Sequence, residues 1–294
     1  MDVLLNQLVA GLSIGSVLLL AAIGLSLTFG QMGVVNMAHG EFIMVGAYTA
    51  YVTQQVVTNA GVSLIVALPI SFVIGGLLGV LLEETILRRM YHRPLDTLLV
   101  TFGVGLILQQ LARDIFGPRA VEVASPGWLN GNIQLAGATV PFNRIFILVV
   151  AVACVGGLAY FTSRTAAGRR IRAVVLNRKL AETNGISTRA TDRLTFFVGS
   201  GLASIAGVTL TLIGSTGPTL GQSYIVDAFL VVVAGGIGRI KGAVIAAFVL
   251  GIFQALVEHS ISISFGKFAM LILVVAFLQF RPQGLFAVKT RSLA

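Results

Sequence analysis

Residues 30–42 of the chain read GQMGVVNMAHGEF, and their Gly, Asn, His and Glu interrupt apolar sequence that continues on both sides. Backbone that leaves a helix at membrane depth is tolerated only where protein buries it or a water-filled cavity adjoins it. One interpretation is therefore a discontinuous helix beside a substrate path, with Asn36 capping its second part. The alternative is an ordinary cytosolic turn, in which the positive end of a helix dipole favours Glu41.

The composition around this stretch is that of a membrane protein. Of 294 residues, 56% are hydrophobic and 11% are charged, whereas a soluble domain carries about 25% charged residues. The net charge of +9 is interpreted as basic loops on the cytosolic side of a membrane, so no nucleic-acid partner is expected. The single Cys154 lies in an apolar run, which excludes a disulfide framework and argues against metal chemistry.

Nine apolar runs follow one another, and most are long enough to cross a hydrocarbon core of about 30 Å. Residues 224–237 and 243–257 are shorter and have four glycines between them, so a broken pair is an alternative to two spans. We expect one domain over residues 1–294, an all-α, polytopic integral membrane helical bundle of about 8–10 spans. The runs are residues 4–29, 36–57, 62–82, 95–116, 142–161, 194–213, 224–237, 243–257 and 265–280.

The distribution of basic residues predicts the orientation of the bundle. No Lys or Arg precedes Arg88, so the first run is expected to be a retained span and not a secretory signal. Basic clusters and nearly bare loops then alternate, which places the N-terminus outside and the C-terminus in the cytoplasm. Basic residues cluster in 88–93, 164–193, 239–241 and 281–291, whereas 58–61 and 214–223 have none and 117–141 has only Arg119.

Two similar octamers allow an inverted repeat. Residues 40–47 (GEFIMVGA) can be laid on residues 227–234 (DAFLVVVA), and in the predicted orientation the two segments run in opposite directions. Transporters often contain inverted repeats whose discontinuous helices meet near the bilayer midplane. Apolar octamers also match by chance, so this likeness alone leaves the repeat open.

The chain lacks the motifs of the common enzyme and nucleotide sites. There is no G-x-x-x-x-G-K-[ST] loop, so ATP is not bound here in that way, and neither H-E-x-x-H nor G-x-S-x-G occurs. No catalytic residue and no metal site are therefore predicted. A second polar stretch, residues 217–224 followed by Asp227, is interpreted as an outer gate or half-helix entrance, or alternatively as a Gly-Pro turn capped by Ser223. For Gln109, inside the fourth run, helix–helix hydrogen bonding is an alternative to substrate contact.

The most informative polar element is residues 164–193, here termed the coupling segment. It predicts an amphipathic basic helix that ends where Gly185 takes the left-handed C′ position. Such a helix either rests on anionic lipid or docks in a groove of a cytosolic partner. On the opposite, extracytoplasmic side of the membrane we expect the long connection over residues 117–141.

Several stretches resemble the permease subunits of branched-chain amino-acid-type ABC importers. They are residues 33–42 (GVVNMAHGEF), 166–173 (AAGRRIRA), Asn177 and 181–186 (AETNGI). Other stretches look closest to the urea-transporter permease branch of that family, namely residues 93–99 (RPLDTLL), 121–126 (VEVASP), 217–227 (GPTLGQSYIVD) and 281–287 (RPQGLFA). The sequence departs at Glu182, Thr183 and Asn184, where urea-type members usually have small or apolar residues, which leaves individual docking contacts open.

The resemblance implies a heteromeric importer in the bacterial inner membrane. Its partners would be a second permease subunit, as a homodimer or heterodimer, two cytosolic ABC ATPase subunits and a periplasmic substrate-binding protein. No cofactor is expected on this chain, because ATP would be used by the partner subunits. The ATPase-coupling helix would use Gly168, Arg169, Arg172, Asn177, Ala181, Glu182 and Gly185.

Urea, the expected substrate, is small, planar and neutral, so its path needs uncharged or partly screened hydrogen-bonding groups. Two alternatives stay open, namely branched-chain amino acids or short amides in the same machine, and an ion-coupled secondary transporter that acts alone. The candidate path residues are Thr28, Asn36, His39, Glu41, Gln109, Gln222, Ser223 and Asp227.

Overall fold

The computed structural model describes residues 2–286 apart from residues 34, 92, 136 and 137. Within these residues the chain forms eleven α-helices and one antiparallel two-stranded hairpin. The prediction of an all-α helical membrane bundle is therefore confirmed. Lys289 and Arg291, which belong to the predicted C-terminal basic cluster, lie outside the described residues.

Nine of the described helices correspond to the nine apolar runs, and two short helices occupy the coupling segment. The long set is α1 (Asp2–Met32), α2 (His39–Val56), α3 (Ala60–Thr85), α4 (Pro94–Phe116), α5 (Phe142–Arg164), α8 (Thr188–Leu210), α9 (Leu220–Gly235), α10 (Ile240–Ser260) and α11 (Ile263–Phe280). The coupling segment forms α6 (Ala166–Leu176) and α7 (Arg178–Thr183), and the hairpin consists of β1 (Asn132–Leu135) and β2 (Ala138–Pro141). Single 3-10 turns cover Leu87–Arg89 and Gly127–Leu129.

Six of these helices are long and apolar enough to cross a membrane, namely α1, α3, α4, α5, α8 and α10. Helices α9 and α11 contain shorter apolar stretches. The helix at the run 243–257 is longer than the sequence suggested, because Lys241 before the run and Glu258 after it are helical although polar. A turn at Gly236 and Gly238, with φ of 97° and 74°, separates α9 from α10 as two helices.

Small residues set the closest helix crossings of the bundle, as is usual where lipid removes any hydrophobic drive for helix association. Helices α1 and α8 cross antiparallel, and a Cβ at Gly24 would lie 2.1 Å from the Gly199 carbonyl oxygen. Helices α3 and α8 are similarly close, since a Cβ at Gly79 would meet the Ser200 side chain at 2.2 Å. Only glycine permits this spacing at these positions.

The packing of α1–α3 recurs in α8–α10 with inverted direction. Helix α1 packs against α10 with Gly15 facing Phe248, and α8 packs against α3 with Gly201 facing Phe72. Because α1 and α8 run antiparallel, the two triplets form an inverted repeat. Between α2 and α9 the closest contact joins Gly40 to Gly221. The octamer match concerns equivalent positions of the two halves and not contacts, so it stays a prediction.

The bundle has one end rich in basic residues, here termed the basic end, where α1 and α3 finish and α6, α7 and the start of α8 lie. At the opposite end, the described residues of the connection over 117–141 contact other parts of the bundle. Val121 pairs with Thr216 in an isolated β-bridge, and the side chain of Gln54 bonds the backbone of Ala124 at 2.8 and 2.9 Å.

The coupling segment forms two helices where the sequence predicted one. The chain breaks at Asn177, whose φ of −159° is extended, and the Asn177 Oδ1 accepts the Leu180 N–H at 3.0 Å to begin α7. Helix α6 buries Ile171 and Val174 against the bundle. The predicted left-handed conformation of Gly185 is confirmed, with φ of 78°.

Candidate functional site

Helix α2 begins inside the bundle. The chain leaves α1 through Gly33, with φ of 65°, and turns back before His39 starts α2. The His39 Nε2 lies 3.3 Å from the Ala21 carbonyl oxygen of α1, and the ring is fully buried. Ala21 precedes the end of α1 by about three turns, so α2 starts about 16 Å inside the basic end. This geometry favours the discontinuous helix over the ordinary turn.

The turn before α2 is held by polar contacts. The Asn36 Oδ1 accepts the Ala38 N–H at 3.0 Å, and the Met37 N–H donates to the Thr101 Oγ1 of α4 at 3.0 Å. Ala38 is the N-cap residue of α2 and its side chain makes no capping bond. The prediction that Asn36 caps α2 is therefore wrong in detail, because the Asn36 side chain bonds the N–H of Ala38, in the turn that precedes α2.

Helix α9 starts against the start of α2. A Cβ at Gly40 would lie 2.5 Å from the Gly221 carbonyl oxygen, and one at Gly221 would lie 2.2 Å from the Gly40 carbonyl oxygen. Thr219 precedes α9 without a side-chain cap, and Ser223 lies within the first turn. The alternative of a turn capped by Ser223 is therefore not observed, since its hydroxyl donates back to the Thr219 carbonyl at 3.3 Å.

A cavity of about 100 Å³ lies at this junction and brings three predicted path residues together. Glu41 on α2 accepts a hydrogen bond of 2.8 Å from the Gln109 Nε2 of α4, and Gln222 on α9 completes the polar set. Glu41 is 3% exposed, and its Oε2 has no hydrogen-bond partner among the described residues. The other lining residues are Met37, Phe102, Gly105, Leu106, Ile225 and Val226.

The lining suits a small polar molecule with both donors and acceptors. One carboxylate and two primary amides stand among apolar walls, and the described lining includes no Lys, Arg or His. A buried polar atom without a partner costs free energy, so the free Glu41 Oε2 is a strong acceptor for an entering N–H group. The Gln109 bond also confirms the helix–helix alternative for that residue, which nevertheless lines the cavity.

The other predicted path residues lie outside the lining of this cavity. The Thr28 hydroxyl donates to backbone carbonyls of its own helix, and His39 is buried against α1. Asp227 pairs with Lys267 of α11 at 3.0 Å, and Lys267 also donates to the Ser223 carbonyl at 3.3 Å. Sequence reasoning did not consider Lys267, although it is an isolated charge at the start of the last apolar run.

The cavity opens on the side of the bundle, between α4 and α9. At its rim, Phe102 is 43% exposed, Leu106 is 48% exposed and Val226 is 52% exposed, and Gln222 is also exposed. A polar cavity at membrane depth that opens between apolar side chains needs a protein cover or water, because lipid offers no hydrogen bonds.

At the basic end, Asp192 is the centre of a second polar cluster. Its carboxylate forms an ion pair with Arg178 of α7 and accepts the Gln31 Nε2–H of α1 at 3.0 Å. Thr195 of α8 donates to the Gln31 Oε1. The cluster thus connects the coupling segment, α1 and α8 through side chains.

Tyr91 extends this cluster to α3. Its hydroxyl donates to Glu83 at 2.5 Å, and the Arg178 guanidinium lies 5.4 Å from the centre of its ring. Burial and the bond to Glu83 raise the pKa of Tyr91 above its ordinary value, so Tyr91 stays a donor. Burial opposes the charge on Arg178, but the Asp192 carboxylate outweighs it and raises the pKa of Arg178.

The predicted coupling residues divide into a packed group and an exposed group. Gly168 is buried where a Cβ would lie 2.2 Å from the Phe161 carbonyl oxygen, and Ala181 is buried beside α8. Glu182 is exposed but accepts a hydrogen bond of 2.7 Å from the Thr188 hydroxyl. Arg169, Arg172, Asn177 and Gly185 are exposed, as are the apolar side chains of Leu176 and Leu180.

The chain has helices that start inside the bundle, a polar cavity that opens to the side and an amphipathic segment at one end. Together these features are typical of one class of protein, the membrane permease subunits. The chain belongs to the family described as branched-chain amino acid transport system / permease component, which it matches over residues 7–278.

Curated relatives cover almost the whole chain. The high-affinity branched-chain amino acid transport system permease protein BraD of Pseudomonas aeruginosa is 30% identical, over 96% of this chain and 95% of its own length. The LivH permease protein of Escherichia coli is 30% identical over 92% of both chains. A probable LivH protein of Methanocaldococcus jannaschii is 26% identical over 95% of this chain and 91% of its own. No solved structure matches the chain.

Proposed function

We propose that this chain is the permease subunit of an ATP-driven importer that carries urea or a comparably small amide. The observation that supports the proposal best is the cavity where α2, α4 and α9 meet, lined by Glu41, Gln109 and Gln222. Urea offers N–H groups to the Glu41 carboxylate and a carbonyl oxygen to an amide of either glutamine. The volume of about 100 Å³ also suits a molecule of this size.

The charge of the lining favours a neutral amide over an amino-acid zwitterion. A zwitterion brings a carboxylate, and a desolvated carboxylate needs a cation or several donors to offset its loss of water. The described lining has no basic residue and already holds the Glu41 carboxylate, which repels a second one. The sequence likeness to the urea-transporter branch supports the same choice.

The partners of the chain follow from the family and from the two ends of the bundle. We propose that the basic end faces the cytoplasm, with the C-terminus on that side and the N-terminus outside, since basic loops favour it. Two ABC ATPase subunits would dock there on α6 and α7 and would bind the ATP. A periplasmic binding protein would deliver substrate at the opposite end, and a second permease subunit would cover the side opening of the cavity.

Branched-chain amino acids are the second candidate substrate. The family description and the names of the BraD and LivH relatives favour it. In that case the zwitterion would find its cationic partner on the second permease subunit. Family membership favours both ABC candidates over an ion-coupled transporter that acts alone.

Uptake of labelled urea and labelled leucine by vesicles that contain the complete complex tests the proposal. We expect urea uptake that requires both ATP in the ATPase compartment and the binding protein, and little leucine uptake. Leucine uptake without urea uptake would reverse the choice of substrate. Uptake that follows a proton or sodium gradient without any ATPase would instead establish the ion-coupled alternative.

Variants of Glu41 and Asn36 test the site in the same vesicles. Glu41→Gln keeps the size of the side chain but removes the charged acceptor, so we expect urea uptake to fall about tenfold, the effect of roughly one strong hydrogen bond. Asn36→Leu removes the bond that shapes the turn before α2. If both variants transported urea at the unaltered rate, the cavity would not be the substrate site.

A further inference from the structure

Helix α7 of the coupling segment contacts the long helices through a polar cluster, in addition to the apolar contacts that α6 makes with the bundle. Arg178, which begins α7, reaches Asp192 on α8, and the Asp192 carboxylate also binds Gln31 near the end of α1. The same guanidinium lies over the Tyr91 ring, and Tyr91 donates to Glu83 of α3. Arg178 of the coupling segment therefore contacts α8 directly, and it is linked to α1 through Asp192 and to α3 through Tyr91.

The burial of this cluster makes its geometry specific. The Asp192 side chain is 1% exposed, whereas the Arg178 side chain is 38% exposed at the edge of the bundle. Removing one partner of a buried ion pair is costly, because the remaining charge lacks compensation. When α7 moves, the Asp192 carboxylate must therefore move with the Arg178 guanidinium, or another group must compensate its buried charge equally well.

The cluster adjoins the helix that leads to the cavity. Gln31 stands in the last turn of α1, directly before the turn at Gly33 that returns the chain to the start of α2. The same α1 contacts α2 through the Ala21 carbonyl and His39. Movement of α1 can therefore reach α2, the helix that carries Glu41, through the contact between Ala21 and His39.

Resting on the proposed ATP-driven function, we propose that the Arg178–Asp192 pair, with Gln31, is the joint that transmits movement of α6 and α7 to α1 and α8. Arg178 and Asp192 are positioning residues in this assignment, since neither lines the cavity. The exposed Leu176 and Leu180 are available to an ATPase. The Arg178–Asp192 pair would then transmit the movement of α6 and α7 to the long helices. Tyr91 and Glu83 extend the same joint to α3.

The test compares transport with ATP hydrolysis in complexes reconstituted from the full set of subunits. For Asp192→Asn and Arg178→Gln we expect substrate transported per ATP hydrolysed to fall about tenfold, within the range of coupling energies seen along such networks. Retention of the ATPase during purification should stay unchanged. Arg93→Gln is the matched control, since Arg93 forms an ion pair with Asp96 near the same end but with both side chains exposed.

Gln31→Met keeps the proposal testable if the charge variants fail to insert. It leaves the Arg178–Asp192 pair intact and removes only the link to α1, so the transport per ATP should fall here as well. Full coupling in Gln31→Met or in Asp192→Asn would overturn the assignment. A loss of the ATPase from either complex would also overturn it, because the pair would then serve only to shape the docking surface.

Leu176→Asp separates this inference from the proposed function. Leu176 is 83% exposed on the coupling segment, so its substitution should remove the ATPase without disturbing the buried cluster. If Leu176→Asp leaves ATPase binding intact, the docking role of the segment fails. If Leu176→Asp loses the ATPase but Asp192→Asn stays fully coupled, the docking role of the segment stands and only the proposed coupling role of the Arg178–Asp192 pair is refuted.

Discussion

At the scale of single residues, the chemistry of the cavity depends on Glu41 and on the donor that its carboxylate has among the described residues, Gln109. The residue type and its place in a polar interruption marked Glu41 in the sequence as a candidate. Its partner Gln109 lies 68 residues later on another helix, so only the folded bundle pairs the two. The Lys267 side chain that neutralises Asp227 is a similar case, 40 residues apart in the chain.

We predict that Gln109→Leu destabilises the protein and impairs transport. The substitution leaves the Glu41 carboxylate buried without its 2.8 Å donor, a loss of about 1–3 kcal/mol. Thermal unfolding of the purified complex in detergent measures the stability, and urea uptake measures the function. Gln110→Leu is the control, since Gln110 is exposed on the same helix and should change stability by less than about 0.5 kcal/mol. Equal effects of the two variants would contradict the assigned role of Gln109.

At the scale of elements, the site exists because α2 and α9 both start inside the bundle and touch there. Hydropathy alone finds the two apolar runs but not the depth at which each helix begins. That depth depends on the Gly33 turn, the His39 contact with α1 and the Met37 contact with Thr101. These contacts are long-range, so the local sequence allowed the discontinuous helix without requiring it.

We predict that Gly40→Ala and Gly221→Ala each force α2 and α9 apart. The added Cβ would lie 2.5 Å from the Gly221 oxygen in the first case and 2.2 Å from the Gly40 oxygen in the second. Overpacking of this kind costs about 1–3 kcal/mol, and the yield of folded protein and its melting temperature in detergent report it. Gly157→Ala in α5 is the control, since a Cβ there meets nothing within 4 Å. Unchanged stability of both junction variants would refute the close contact.

At the scale of the whole molecule, the inverted repeat leaves the cavity open on one side. Helices α4 and α9 present Phe102, Leu106 and Val226 around the opening. A polar cavity that is exposed in this way at membrane depth is incomplete by itself. This is the physical reason for the proposal that a second permease subunit covers that face and not α5.

We predict that a photo-crosslinker on Val226→Cys labels the second permease subunit in the purified complex, in a Cys154→Ala background. Val226 is 52% exposed at the rim of the cavity, so a covering subunit must lie beside it. Val149→Cys on α5 is a matched control because Val149 is 58% exposed, and it should label lipid alone. Mass spectrometry of the crosslinked products identifies the partner. Labelling of the second subunit from position 149 but not from position 226 would move the interface to another face.

The sequence by itself determined the fold class and the family, because apolar runs and short motifs are local features that can be recognised without any knowledge of contacts. It also located Glu41, Gln109 and Gln222, since polar residues within or directly beside apolar runs can be recognised from the sequence. Only the tertiary structure decided that these three share a cavity while Asp227 faces Lys267. It also divided the coupling segment at Asn177 and joined Arg178 to Asp192 and Gln31. The reason is that such pairings depend on how far each helix penetrates and which face it turns inward, and glycine contacts between distant helices fix both.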